Sequence, residues 1–436
     1  MIIEYLPLLM FAVLLVLLAL GVPIAFSLFT TALGFAYFAW GASGGSILVS
    51  AVWGVMNNFV LIAIPLFIFM SLLLEKSTII ADLFDSMYKW SGGLRGGLAV
   101  ATVVVGAVIG AISGVVAAGV IGLALIALPQ MLRYGYNQRI SLGAVMAGGT
   151  LGQVIPPSLN MVVYGAITGV SVASLFAGGA NAGLMLLAVF SGYILIRAFI
   201  NKDLAPALAK EDRASWSEKW KSTRSVLLPI LLIIIVIGSI LTGTATPTEG
   251  AAIGVVGTVL ISLGARKLPW QGFVDSLWGT GRMTGMVGLI LAGAASFSAV
   301  FSGIGGNRFV SNLVESLPGG QWGVLIFSVL FVFLLGMFLE TLALIMLAAP
   351  ILTPLIANAG FDPLWWGIIF MVVLQTGFLT PPFGFAIFYL KSAVGRKVAI
   401  ADIYKATPAF IGLQVLVIVL LIVVPGLATW LPDLLL

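Results

Sequence analysis

Two apolar stretches of this chain are each interrupted by adjacent prolines, in GGTLGQVIPPSLN (Gly148 to Asn160) and VLQTGFLTPPFGF (Val373 to Phe385). Pro156, Pro157, Pro381 and Pro382 lack the N–H donors a helix needs, so each helix must unwind there. The flanking sequence is apolar enough to lie in a bilayer. Backbone groups freed by such a break cannot face lipid; they persist only inside protein or around a polar cavity. Two broken membrane helices at matching places in two halves point to a midplane ion and substrate site in a secondary transporter. A packing kink accounts for one such break, but two related breaks favour a site.

Hydrophobic residues make up 61% of the 436 and charged residues 8%, against about 25% charged in soluble proteins. The chain reads as an all-α polytopic membrane protein. His and Cys are absent, which removes Ser-His-Asp triads, thiol nucleophiles and the usual zinc ligands. Asp residues map to loops or span ends, so an intramembrane aspartyl protease lacks its catalytic pair and no enzyme is expected.

A hydrocarbon core of ~30 Å takes about 20 apolar residues per helix. On that ruler, spans fall near 5–22, 24–40, 47–74, 141–164 and 172–196, then 226–243, 248–264, 283–303, 363–390 and 408–430. Residues 1–20 have no basic flank and no cleavage site, and read as a retained helix. Residues 96–132 and 323–357 are too long for one span, and Glu340 is their only charge. Each has a polar or small-residue turn near its middle, Ser113-Gly114 and Glu340-Thr341, and reads as a re-entrant hairpin. With the N-terminus outside and neither hairpin crossing, Arg308 is the only one of 20 Lys and Arg on the outer side. That distribution obeys the positive-inside rule. It explains the net charge of +5 without nucleic acid, and gives the two halves opposite orientations.

The halves also match in sequence at an offset of 225 residues. Pro129, Gly135, Met146, Gly152, Pro156, Pro157 and Tyr164 meet Pro354, Gly360, Met371, Gly377, Pro381, Pro382 and Tyr389. The expected organisation is an inverted repeat over 1–196 (hairpin 96–132, broken helix 141–164) and a second over 226–436 (hairpin 323–357, broken helix 363–390). Residues 197–225 join them, with Trp216 and Trp220 four apart. This linker is either an amphipathic arm at the interface or a plain solvated connection.

An unwound helix offers carbonyls to a cation and a half-helix N-terminus to an anion. In the first break, carbonyls around Gly148 to Ile155 are candidate ligands for a small cation, while Ser158 and Asn160 beside the next half-helix are candidates to face a carboxylate. In the second, Thr376, Gly377 and Thr380 supply carbonyls and hydroxyls, and Phe383-Gly384 opens the following half-helix. Uncharged oxygens suit a weakly bound monovalent ion better than Mg²⁺ or Ca²⁺. Glu340 is either a functional carboxylate at membrane depth or a cap at the hairpin tip. Pro247-Thr248-Glu249 reads as a helix start.

The strings GGTLGQVIPPS, TPTEGAAIG, GMFLETLALIMLAAPIL and TGFLTPPFGFAIFYLKS together resemble the large membrane subunit of tripartite ATP-independent periplasmic (TRAP) transporters. The resemblance covers nearly the whole chain. It implies a bacterial inner-membrane importer of an organic anion, working as an elevator, coupled to Na⁺, with both termini periplasmic. It implies two partners, a periplasmic substrate-binding protein and a small four-helix membrane subunit. It also implies one sodium site at Ser113, Gly114, Gly148, Gly152 and Pro156, and another at Glu340, Thr341, Thr376, Gly377 and Thr380. Substrate is expected at Ser158, Asn160, Phe383 and Gly384. Val115-Val116 stand where the family usually has further Ser or Thr, so backbone carbonyls would carry more of the first site. A stand-alone divalent-anion/sodium symporter is the alternative.

Overall fold

The computed structural model describes residues 5–77, 79–113, 116–265, 268–315 and 318–436. Among them there are twenty α-helices and no strand. The first half holds α1 (Leu6–Ala19), α2 (Ile24–Trp40), α3 (Gly44–Met56), α4 (Ala63–Lys76), α5 (Ile79–Ser91), α6 (Gly97–Ser113), α7 (Val116–Arg133), α8 (Gln138–Thr150), α9 (Leu159–Thr168) and α10 (Val172–Ile200). The second holds α11 (Trp216–Leu241), α12 (Pro247–Gly264), α13 (Trp270–Gly303), α14 (Gly306–Glu315), α15 (Gln321–Gly336) and α16 (Thr341–Asn358). It ends with α17 (Pro363–Leu379), α18 (Phe385–Val394), α19 (Ile400–Val423) and α20 (Gly426–Leu435). Among the described residues, eight helical segments are long and apolar enough to cross a membrane, one of them running through α2 and α3 as Ile24–Met56.

Three expected spans differ from what folds. The stretch 47–74 is two helices, because Asn58 caps a short turn by accepting from the Val60 N–H at 3.0 Å. The span 283–303 is the end of a 34-residue helix, α13, roughly 50 Å long at 1.5 Å per residue. The span 408–430 begins earlier, at Ile400, and α19 ends at Val423. Residues 247–249 do start a helix. Thr246 and Glu249 form a reciprocal capping box around Pro247.

The linker is no plain solvated connection. From Trp216 it is helical, entered through a capping box between Ser215 and Glu218. The Ser215 N–H and hydroxyl hold the Glu218 carboxyl below its ordinary range. Trp216 and Trp220 pack edge-on against Trp90 of α5, which donates from Nε1 to Thr223 Oγ1 at 2.8 Å.

The helices sort into two groups. Helices α2, α3 and α4 pack on α13, and α4 also on α12. Around the two breaks gather α6 to α10 and α15 to α19. Within this second group, packing is reciprocal at the offset of 225. Val116 and Arg133, the bounds of α7, fall on Thr341 and Asn358, the bounds of α16. Helix α7 packs on α18 as α16 packs on α9, and α8 packs on α19 as α17 packs on α10.

Small residues set the closest approaches. A Cβ on Gly110 of α6 would run into the backbone of Gly152, and one on Gly106 into Gly148. A Cβ on Gly377 of α17 would stand 2.9 Å from the carbonyl carbon of Gly336 in α15. Each break is thus met by the first helix of the preceding hairpin, backbone against backbone. Gly110→Ala should cost about 1–3 kcal/mol through overpacking. Gly122→Ala, where a Cβ meets nothing within 4 Å, should be neutral or stabilising. Thermal unfolding of the purified protein in detergent checks this, and equal shifts for both would refute the close contact.

Candidate functional site

The helices leading into both breaks are enclosed by protein, and the first break is buried with its helix, whereas Pro382 and Phe383 of the second are exposed. Every residue of α8 from Ile140 to Thr150 is buried, and every residue of α17 from Trp365 to Leu379. At the first break this keeps the unwound backbone out of lipid. The chain also repairs each break locally. After α8 a 3₁₀ turn spans Leu151–Gln153, and the Ile155 N–H donates to the Leu151 carbonyl at 2.9 Å. Ser158 reaches back across the break, donating its hydroxyl to the Gln153 carbonyl at 2.8 Å. In the second break the Thr380 N–H donates to the Gly377 carbonyl and the Gly384 N–H to the Thr380 carbonyl, at 3.1 and 3.0 Å. The Tyr404 hydroxyl of α19 donates to the Pro382 carbonyl at 2.9 Å. Pro156–Pro157 and Pro381–Pro382 are both cis.

Of the residues expected to hold the first cation, Gly148 and Gly152 lie at the close approach to α6. The Gly148 carbonyl accepts from the Leu151 N–H. Pro156 is buried one turn of chain further on. Ser113 ends α6, and Gly114 lies outside the described residues.

For the second cation, Thr376 and Thr380 stack along α17. Their hydroxyls donate to the Val372 and Thr376 carbonyls, each at 2.8 Å, which leaves their oxygen lone pairs for an electrophile. Gly377 abuts Gly336, at the end of α15. Glu340 is the N-cap of α16, accepting from the Leu342 and Ala343 N–H groups at 3.0 and 3.4 Å. It is half-buried, and its carboxylate caps the hairpin tip.

Thr341 also reaches the first break. Its hydroxyl accepts from Nε2 of Gln153, in the first break, at 3.2 Å. Gln375 in the second break donates to the hydroxyl of Thr150 in the first, at 3.3 Å. Tyr164 of α9 shares a 2.8 Å hydrogen bond with Thr353 of α16. Side chains of one half therefore bond the other at three buried points. Gln153 and Gln375 are completely buried, and in each the amide oxygen has no hydrogen-bond partner. Such an orphan costs roughly 1–3 kcal/mol, and in a transporter core it is an uncharged oxygen available to a cation. Sequence reasoning passed over both glutamines. The signal was present, since each break carries one glutamine just before its proline pair.

The expected substrate residues are split. Ser158 and Asn160 are buried, at 0% and 3% exposure, whereas Phe383 is 48% exposed and packs on Phe338 with ring centres 5.0 Å apart. Gly384 is buried. A cavity of about 400 Å³ lies beside these elements, where α9 and α16 face α3 and α13. Its polar lining is Asn58, Ser298 and Ser302. Asn58 bridges the two helix groups by donating to the Ala166 carbonyl at 3.1 Å.

Residues 11–427 match the family described as "Tripartite ATP-independent periplasmic transporter, DctM component". The chain belongs to that family. It is 32% identical over 427 residues to the ectoine TRAP transporter large permease protein TeaC of Halomonas elongata, covering 98% of both chains. It is 30% identical over 451 residues to the C4-dicarboxylate TRAP transporter large permease protein DctM of Vibrio cholerae, covering 98% of this chain and 97% of that one. The fold is similar to the solved Alcanivorax borkumensis YdaH transporter, with a TM-score of 0.64 over 98% of each chain at 14% identity. The chain is therefore the large permease subunit of a TRAP system and a multi-pass inner-membrane protein. The family is one of transporter permeases and not of enzymes. Its members work with a small membrane subunit and a periplasmic binding protein.

The cross-half bonds should couple energetically. In a double-mutant cycle of Thr150→Val and Gln375→Leu, the expected interaction is about 0.6 kcal/mol, typical of buried hydrogen bonds between membrane helices. Unfolding by denaturing detergent measures it. Strictly additive effects would show that the pair makes no contact.

Proposed function

We propose that this permease imports an organic acid across the bacterial inner membrane together with Na⁺, taking substrate from a periplasmic binding protein. The observation that carries the reading is the pair of breaks, lined by uncharged oxygens and bonded across the two halves through Gln153–Thr341 and Gln375–Thr150. Hydroxyl, amide and carbonyl oxygens match a monovalent hard cation. The chain also lacks any G-x-x-x-x-G-K-[ST] string for ATP. Relatives are named for ectoine, C4-dicarboxylates, sialic acid and isethionate, which supports a carboxylate or sulfonate substrate. Family membership favours the three-component system over a stand-alone symporter.

In this reading the Na⁺ ions sit between each hairpin tip and the neighbouring break, with Thr341 and Thr380 among the ligands of the second. Substrate occupies the half-helix starts near Ser158, Asn160, Phe383 and Gly384. The group holding the breaks is the moving unit of an elevator, and the group built on α13 is its scaffold. The cavity lined by Asn58, Ser298 and Ser302 lies on the seam between them, where sliding would open a path. The two halves are inverted repeats, 1–196 and 226–436, joined by the cytoplasmic arm.

Uptake into proteoliposomes containing all three components should require a sodium gradient. Thr380→Val and Thr341→Val should each raise the sodium half-saturation about fivefold, from ~1 kcal/mol per lost hydroxyl contact. Full uptake without sodium, or unchanged half-saturation in both variants, would sink the coupling scheme.

Orientation has its own test, made simple by the lack of native cysteine. Ser43→Cys and Asn358→Cys should react with an impermeant maleimide in intact spheroplasts, and Ser217→Cys only after lysis. All three side chains are exposed. Labelling of the Ser217 position from outside would overturn the inversion.

A further inference from the structure

Away from the breaks, a cavity of about 350 Å³ opens where the start of α8, the end of α10 and the start of α19 converge. Arg139, Arg197 and Lys405 line it, one from each helix, together with Asn137, Tyr193 and Pro408. No carboxylate lines it. Among the described residues the Arg139 and Arg197 side chains have neither a hydrogen bond nor an ion pair. Lys405 has a weak 3.9 Å contact with the exposed Asp402. Three converging cations repel one another, and an anion placed among them removes that cost. The two guanidinium groups match the paired oxygens of a phosphate diester.

The surroundings decide which anion. Pro408 on the rim begins an exposed apolar stripe down α19: Pro408, Gly412, Val415, Leu416, Val419 and Val423. Their spacing, with steps of three and four residues, places them on one helical face. Beside Arg197, Ile196, Phe199 and Ile200 are 61%, 59% and 77% exposed. A basic headgroup-sized cavity at the end of an apolar track matches a phospholipid, whereas a free phosphate would have no use for the track. We propose that this cavity binds the headgroup of an anionic phospholipid, with its acyl chains along the exposed face of α19. The proposal rests on the topology above only in placing the lipid in the cytoplasmic leaflet, where anionic lipids attract basic clusters.

The test uses the full-length purified protein in neutral detergent. Its melting temperature is titrated with phosphatidylglycerol, with phosphatidylcholine and with inorganic phosphate, and native mass spectrometry counts retained lipid. Phosphatidylglycerol should stabilise at lower concentration than phosphatidylcholine, and phosphate should have little effect. At about 1 kcal/mol per basic residue, each of R139Q, R197Q and K405Q should weaken the phosphatidylglycerol effect about fivefold. The triple variant should weaken it about a hundredfold. K397Q, an exposed lysine that does not line the cavity, is the control and should change nothing. Undiminished phosphatidylglycerol binding in the triple variant overturns the site. Equal stabilisation by phosphate overturns the lipid. Should the triple variant fold poorly, the single variants decide on the same criterion. Sidedness is read separately by the cysteine labelling, so failure of one does not imply failure of the other.

Discussion

The constraint on which this structure depends is that no backbone N–H or C=O can go unpaired in hydrocarbon. Proline pairs at 156–157 and 381–382 force the chain to break that rule twice, and much of the surrounding architecture deals with the consequence. Glycines bring α6 and α15 against the breaks until backbone touches backbone. Short 3₁₀ and turn bonds, and the Ser158 hydroxyl, take up carbonyls that a continuous helix would have satisfied. A ring of helices then buries the first break and the helix that leads into the second, while Pro382 and Phe383 stay exposed. A core this permissive of irregular backbone is costly to assemble, so the two breaks are better read as features with a use than as tolerated kinks.

The bonds between the halves give that core its second property. Gln153 of the first break holds the tip of the second hairpin through Thr341, and Gln375 of the second holds Thr150 of the first. Thr150 and Gln375 occupy equivalent positions at the offset of 225, so this bond joins corresponding points of the two halves. An ion that drew on Gln153 or Gln375 at one break would then alter the partners available to the other. Under the proposed sodium coupling, such sharing is a physical route by which two ion sites report on each other without any charged group between them.

Much of this was legible in the sequence because proline, glycine and charge have unambiguous local meanings. The prolines located both breaks, the cap residues located the start of α12, and the long uncharged stretches located the paired helices α6–α7 and α15–α16. What escaped was set by tertiary contact. Hydropathy cannot see that Asn58 ends one helix and opens another inside the stretch 47–74, nor that α13 continues back to Trp270. The role of Glu340 stayed open in sequence because an acidic residue after an apolar helix suits a ligand and a cap equally. The N–H groups of Leu342 and Ala343 establish the cap, and a carboxylate so engaged keeps lone pairs for a ligand role. The glutamines were missed for a related reason: an amide is unremarkable until burial strips it of water and leaves its oxygen unpaired.

The two breaks are alike in sequence but not in exposure, and this difference bears on how a transporter built this way would work. Around the first, Ser158 and Asn160 are sealed. Around the second, Pro382 and Phe383 reach the surface, with Phe383 resting on the equally exposed Phe338 of the α15–α16 turn. Two exposed aromatic rings over a half-helix start are unfavourable in water, and their apolar area becomes useful only when something covers it. In an elevator, the covering surface would be the scaffold once the moving group has slid past it. The same movement would expose the first break. The reciprocal packing of α7 on α18 and α16 on α9 is what such an exchange would need. Contacts that recur at the offset of 225 would hold the group together as one body, while its two ends traded a sealed environment for an open one.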